Sequence, residues 1–147
     1  MASVNPYLNF AGNTEEAFLF YQSVFGGEFI GGISRFGEIP ASEGMPPMPE
    51  EARNLVMHIA LPIVGNCILM GSDAPPSMGF QVTHGNSVYI CLSPDSRSQT
   101  EELFAKLAVD GKIEQPLQDM FWGALYGSLR DRFGIHWMFN YSEPKEG

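Results

Sequence analysis

The segment Thr14-Glu15-Glu16-Ala17-Phe18 returns about 85 residues later as Thr100-Glu101-Glu102-Leu103-Phe104. Each copy lies in a helical pattern that stops at glycine, Gly26-Gly27 in the first and Gly111 in the second. Strand-like residues follow both, Glu28-Phe29-Ile30 and Lys112-Ile113. An echo with the same flanking order predicts two copies of one module. The chain of 147 residues has the length of one ordinary domain, so two such modules fill it.

The helices are marked at their starts. Asn13 reads as an N-cap with Glu16 at the reciprocal position, and Ala17, Phe20, Tyr21 and Val24 make one apolar stripe over 13–24. Ser96 and Gln99 open the second helix, 96–108, after Pro94, with Leu103, Phe104 and Leu107 on its buried side. Alternating residues predict strands at 4–10, 28–36, 54–62 and 66–72, then at 87–92, 112–117, 124–129 and 135–141. Each module thus reads as a strand, a helix and three strands. Several strands are apolar on both faces, which suits a helix on one side and a cavity on the other. Segments 37–53 and 73–86, rich in Pro, Gly and Met, read as long loops, either lids and binding loops or tolerated insertions.

Acidic residues outnumber basic ones 17 to 8, a net charge of −9 with a pI near 4.6. Such a chain suits neither nucleic acid nor an anionic membrane. No apolar run approaches the roughly 20 residues of a spanning helix, and Met1-Ala2-Ser3-Val4-Asn5-Pro6 lacks the features of a signal peptide. A soluble cytoplasmic protein is expected. Cys67 and Cys91 match no metal or redox spacing and read as two buried thiols rather than a disulfide. Eleven Phe, five Tyr and two Trp supply enough large side chains for a core without such a staple.

Motifs of nucleophilic or phosphate chemistry are absent from the sequence: no GxSxG, no P-loop. His58, His84 and His136 share no ligand spacing. His58 and His136 read as core imidazoles bonded to backbone carbonyls, with a ligand contact or general base as the sharper alternative. Asp131 reads as fixing the turn into the last strand.

Four stretches carry a resemblance: Asn5-Pro6-Tyr7-Leu8-Asn9-Phe10 with Gly12-Asn13 and Phe20-Tyr21; Leu69-Met70-Gly71-Ser72-Asp73; Trp122-Gly123-Ala124-Leu125-Tyr126-Gly127; and Asp131 through Asn140. Together they resemble the PhnB-like branch of the vicinal oxygen chelate superfamily, which includes glyoxalase I, bleomycin-resistance proteins and extradiol dioxygenases. Members of this branch are often labelled demethylubiquinone methyltransferase-like. The resemblance implies an α+β fold over 1–147, with two βαβββ modules at about 1–75 and 84–147 forming an open, cup-shaped, eight-stranded mixed sheet. It also implies a homodimer. A methyltransferase would need a cofactor-binding α/β sheet with a glycine-rich loop, which this sequence lacks, so that chemistry is not expected.

Glyoxalase-like relatives hold a divalent metal on four side chains inside the cup. Laying the motifs over this chain puts those positions at or near Pro6, Met70, Ser87 and Met138, a set poor in the donors such ions need. The expectation is no metal and no other cofactor. Strand parity then lines the cup with His58, Met70, Tyr89, His136 and Met138, beside Val56, Ala60, Ile68, Cys91 and Asn140. Phe121 and Trp122 overhang its opening, while Val88, Ile90, Ile135, Trp137 and Phe139 pack on the helices. The expected partner is a small molecule, apolar or planar, and the expected function is to bind it. The alternative is an enzyme of glyoxalase/lyase or dioxygenase type, with a divalent metal held by a non-standard ligand set.

Overall fold

The echoed helices bury the same four positions. In α1 (Thr14–Phe25) these are Thr14, Ala17, Phe18 and Tyr21, with Val24 a turn further on. In α3 (Arg97–Ala108) they are Thr100, Leu103, Phe104 and Leu107. A spacing of i, i+3, i+4, i+7 forms one stripe, which each helix turns to its own sheet. The first stripe therefore runs through Phe18 and not, as expected, through Phe20, which is half-buried.

The computed structural model describes residues 2–39 and 48–144, and it divides into two compact units, Met1–Thr83 and His84–Gly147. The fold is α+β, and its eight strands form two four-stranded mixed sheets, one in each unit. The first unit contains β1 (Tyr7–Phe10), α1, β2 (Ser34–Arg35), the short α2 (Glu50–Arg53), β3 (Val56–Pro62) and β4 (Ile68–Asp73). The second contains β5 (Ile90–Leu92), α3, β6 (Lys112–Asp119), β7 (Ala124–Arg130) and β8 (His136–Ser142). The sheet orders are β1-β4-β3-β2 and β5-β8-β7-β6, the same order twice, with the first pair parallel and the others antiparallel.

The echoed phenylalanine of each long helix, Phe18 or Phe104, lies over a glycine. A Cβ on Gly71 of β4 would come within 2.7 Å of a Phe18 ring carbon, and one on Gly127 of β7 within 3.0 Å of Phe104. In the first unit Ile59 faces Gly71 across the strands; in the second Gly127 faces Phe139. The hollow thus sits on the last strand of one unit and on the last but one of the other. The Phe104 ring meets Phe139 edge to face, with centroids 5.6 Å apart.

Several boundaries differ from the sequence reading. The strand expected over 28–36 survives only as Ser34–Arg35, because Gly31 and Gly32 take φ of 71° and 74°, outside any ladder conformation. The strand expected from 87 starts at Ile90, and Val88, expected to pack on a helix, is 76% exposed. Glu50–Arg53 forms one helical turn inside a segment read as irregular, while residues 40–47 of that loop lie outside the described residues. The thiols are free, but Cys67 is only half-buried and Cys91 is exposed, contrary to the expectation of two buried cysteines.

Two buried aspartates tie the units internally. Asn13 makes no side-chain capping bond. Instead Asp73, at the end of β4, accepts from the Thr14 backbone N–H (3.0 Å) and hydroxyl (2.7 Å) through Oδ1, and from the Val56 N–H (2.8 Å) through Oδ2. Ser96 caps α3 as expected, accepting from the Gln99 N–H at 3.1 Å. Asp131 accepts from the N–H groups of Phe133 (2.8 Å) and Ile135 (3.1 Å), which fixes the turn into β8, and from the Trp137 indole at 2.8 Å.

Candidate functional site

The helix sides of the sheets are set by the glycine hollows. In the first unit Gly71, Leu69, Ile59 and Leu61 face α1. Alternation puts Tyr7, His58, Ala60, Met70 and Ser72 on the opposite, helix-free face. There Met70 lies between Tyr7 and Ala60 in register. The Tyr7 and His58 rings stack at 6.0 Å, and the Tyr7 hydroxyl stands 3.5 Å from His58 Nδ1. Tyr7 was not anticipated as a site residue, although its parity in β1 is readable once Leu8 and Phe10 are placed inside.

In the second unit Leu125, Gly127 and Leu129 pair with Tyr141, Phe139 and Trp137 on the helix side. The helix-free face therefore carries His136, Met138 and Asn140 of β8 with Tyr126, Ser128 and Arg130 of β7. Met138 pairs with Cys91 on one side and Ser128 on the other.

Tyr89 and His136 come together, with ring centroids 4.9 Å apart, and Glu114 of β6 joins them. The Tyr89 hydroxyl donates to Glu114 Oε1 at 2.8 Å. His136 Nδ1 stands 3.5 Å from Glu114 Oε2, and it is buried with no hydrogen-bond partner. The core reading of this histidine, an imidazole bonded to a backbone carbonyl, is not met at Nδ1. The hydrogen bond to Glu114 holds the Tyr89 phenol above its ordinary pKa, with burial and the charges of Glu114 and Tyr126 acting in the same direction. Glu114 had no sequence signal, because β6 is exposed at nearly every position and shows no alternation.

Phe121 and Trp122 occupy the turn between β6 and β7. The Gly123 N–H donates to the Met120 carbonyl at 2.9 Å, and Gly123 takes φ of 94°, which a three-residue hairpin loop of this kind requires. Phe121 is 97% exposed and Trp122 55% exposed. Their rings meet edge to face at 5.0 Å, and Trp122 approaches Tyr126 at 6.4 Å. The row of rings from the hairpin tip thus reaches Tyr126, which lies on the same helix-free face as His136.

The four positions that the resemblance assigns to a divalent metal carry side chains that are poor donors for one. Proline offers no side-chain donor, and the Pro6 carbonyl accepts from the Met70 N–H at 3.1 Å. Met70 and Met138 present soft thioethers, and Ser87 a lone hydroxyl. Among the described residues no three His, Cys, Asp or Glu gather as a metal cluster would require. A recess of about 240 Å³ elsewhere in the first unit is lined by Arg35, Gly37, Glu38, Arg53 and Asn54. Its Arg35 is already bound to Glu15 and to the Asn54 carbonyl.

Among the described residues no helix is long and apolar enough to cross a membrane. The family described as 3-demethylubiquinone-9 3-methyltransferase matches residues 2–139. Protein YjdN of Escherichia coli is 35% identical over 146 residues, covering 93% of each chain. The crystal structure of protein PA1353 from Pseudomonas aeruginosa is 34% identical with a TM-score of 0.80, covering 98% of this chain and 100% of that one. A glyoxalase/bleomycin resistance protein/dioxygenase family enzyme from Burkholderia phytofirmans shares the fold at 16% identity, with a TM-score of 0.61 over 95% and 100% of the two chains. The chain shares its fold with that enzyme, and it belongs to the family that carries the 3-demethylubiquinone-9 3-methyltransferase description.

Proposed function

We propose that this protein binds a small planar molecule on the helix-free face of its sheets, needs no metal or other cofactor to do so, and works as a homodimer. The observation that carries this reading is the pair of aromatic groups in the second unit: Phe121, Trp122 and Tyr126 at the β6–β7 hairpin, and Tyr89 against His136 with Glu114. Large exposed aromatics beside a few convergent polar groups are what a site for a planar ligand needs. Met138 lies on the same face of the second sheet and adds polarizable contact surface, while His58 and Met70 lie on the helix-free face of the first sheet. The methyltransferase description names a family, and a family name does not assign chemistry to a site.

The test is a screen of planar aromatic compounds, read by tryptophan fluorescence and by native mass spectrometry of freshly purified protein. A binder should change the emission of the parent and leave Trp122→Phe nearly silent, with its melting temperature intact. Binders that affect both proteins equally would place the site elsewhere. Elemental analysis should find no stoichiometric metal, and light scattering a mass twice the 16.2 kDa of one chain.

A further inference from the structure

Among the described residues, His136 Nδ1 is the buried side-chain atom left without a hydrogen-bond partner. The His136 side chain is 9% exposed, and the nearest acid oxygen, Glu114 Oε2, stands 3.5 Å from Nδ1. A buried polar atom in that state costs stability that a bound group would return. The other oxygen of the same carboxylate already holds a phenol, the hydroxyl of Tyr89.

We infer that Glu114 and His136 form a binding site for the hydroxyl of a phenol-class ligand, with Tyr89 as the internal phenol that covers it. This rests on the planar-ligand reading above and names the polar group such a ligand carries. The chemistry selects a hydroxyl. With Nδ1 protonated, the site offers one donor on His136 and one acceptor on Glu114 Oε2, close enough for a single atom to meet both. A hydroxyl supplies one acceptor and one donor; a carbonyl has no proton for Glu114, and an ammonium has no lone pair for His136. The phenol class follows from the neighbours. Tyr89 lies against His136, Tyr126 stands on the same face of the sheet, and Trp122 lies against Tyr126.

Tyr89 is suited to give way. It precedes the first paired residue of β5, Ile90, and follows the exposed Val88. Turning its ring outward would open the space beside His136 Nδ1 and Glu114 Oε2, so that a ligand phenol meets both.

The experiment uses the full chain with 4-fluorophenol and 4-fluoroanisole, which differ in the hydroxyl proton and a methyl group, followed by ¹⁹F NMR. The parent should bind the phenol about tenfold more tightly than the ether, the scale of a hydrogen bond to a charged group. Glu114→Gln should erase most of that preference, and Tyr89→Phe, which removes the bond that holds the covering ring to Glu114, should tighten phenol binding several-fold. Equal affinity for both probes, unchanged by Glu114→Gln in a variant that melts like the parent, overturns the hydroxyl site and leaves the planar-ligand reading standing. Saturable binding of neither probe overturns both.

Discussion

Replacing Asp73 by alanine tests how the first unit is held together. The carboxylate is 4% exposed and receives three donors, two from Thr14, which is fully buried, and one from Val56, which is 1% exposed. Water cannot take its place without opening the core. Loss of a helix cap costs about 1 kcal/mol, and each further buried donor left without an acceptor costs about 1–3 kcal/mol. Asp73→Ala should therefore lose roughly 4 kcal/mol, a fall in melting temperature of about 12 °C at about 3 °C per kcal/mol for a chain this long. Asp73→Asn should be intermediate, near 2 kcal/mol, since its amide can still accept from Thr14 but turns a donor toward the Val56 N–H. Asn13→Ala should change stability by less than about 0.5 kcal/mol, because that side chain makes no capping bond. Urea unfolding of the three variants is the measurement. If Asp73→Ala costs less than 1 kcal/mol, or Asn13→Ala costs more than Asp73→Ala, the assignment of the cap to a residue 59 positions away is wrong.

Three further outcomes follow from the same geometry. Gly71→Ala should lose about 1–3 kcal/mol by driving a methyl into Phe18, and Phe18→Leu in the same chain should recover part of it; additive losses in thermal unfolding would contradict the hollow. Of the two tryptophans, Trp122 should be quenched by acrylamide and Trp137 protected, so Trp122→Phe should remove most of the quenchable emission, and equal quenching before and after would contradict the placement. The Arg35 guanidinium, chiefly by its hydrogen bond, holds the Glu15 carboxyl below its ordinary pKa. The stabilisation is therefore complete above the unfolded glutamate value of about 4.3 and lost as pH falls through the lower folded value. Both side chains are about a third exposed or more, so the effect stays under about 1 kcal/mol. Arg35→Gln should make the acid limb of the stability curve shallower between roughly pH 5 and 3, and an unchanged limb would mean the pair contributes nothing.

The parts of the fold legible in the sequence are those whose signal is local. Thr100, Leu103, Phe104 and Leu107 announce their stripe by spacing, and Ser96 its cap by position. The alternations of β3, β4 and β8 fix which residues share a face, so His58, Met70, His136 and Met138 take their sides from parity alone. The illegible parts depend on distant partners or on backbone states. Asp73 caps a helix that begins 59 residues earlier, and no neighbour of Asp73 says so. Gly31 and Gly32 sit in a stretch with strand-like neighbours, yet their left-handed backbone ends it. The choice of Phe18 over Phe20 was readable from the echo itself, since Phe18 and Phe104 hold the same place in the repeated pentapeptide. Glu114 is the clearest omission at the site, because an exposed edge strand interrupted by register shifts has no period to read.

The glycine hollows bear on how the two halves can exchange parts. One helix motif serves both, but its phenylalanine is received by Gly71 on β4 in one half and by Gly127 on β7 in the other. Transplanting β4 into the second half in place of β8 would set Gly71 opposite Gly127 and leave a void the size of an aromatic ring. Moving β8 into the first half would set Phe139 against Ile59 beneath Phe18, with no space for all three. Neither strand is portable alone, whereas the two-strand hairpin β3–β4 or β7–β8 carries its hollow with it. The smallest interchangeable piece of this duplicated chain is therefore a hairpin, and the halves are free to diverge in sequence only as matched strand pairs beneath a common helix.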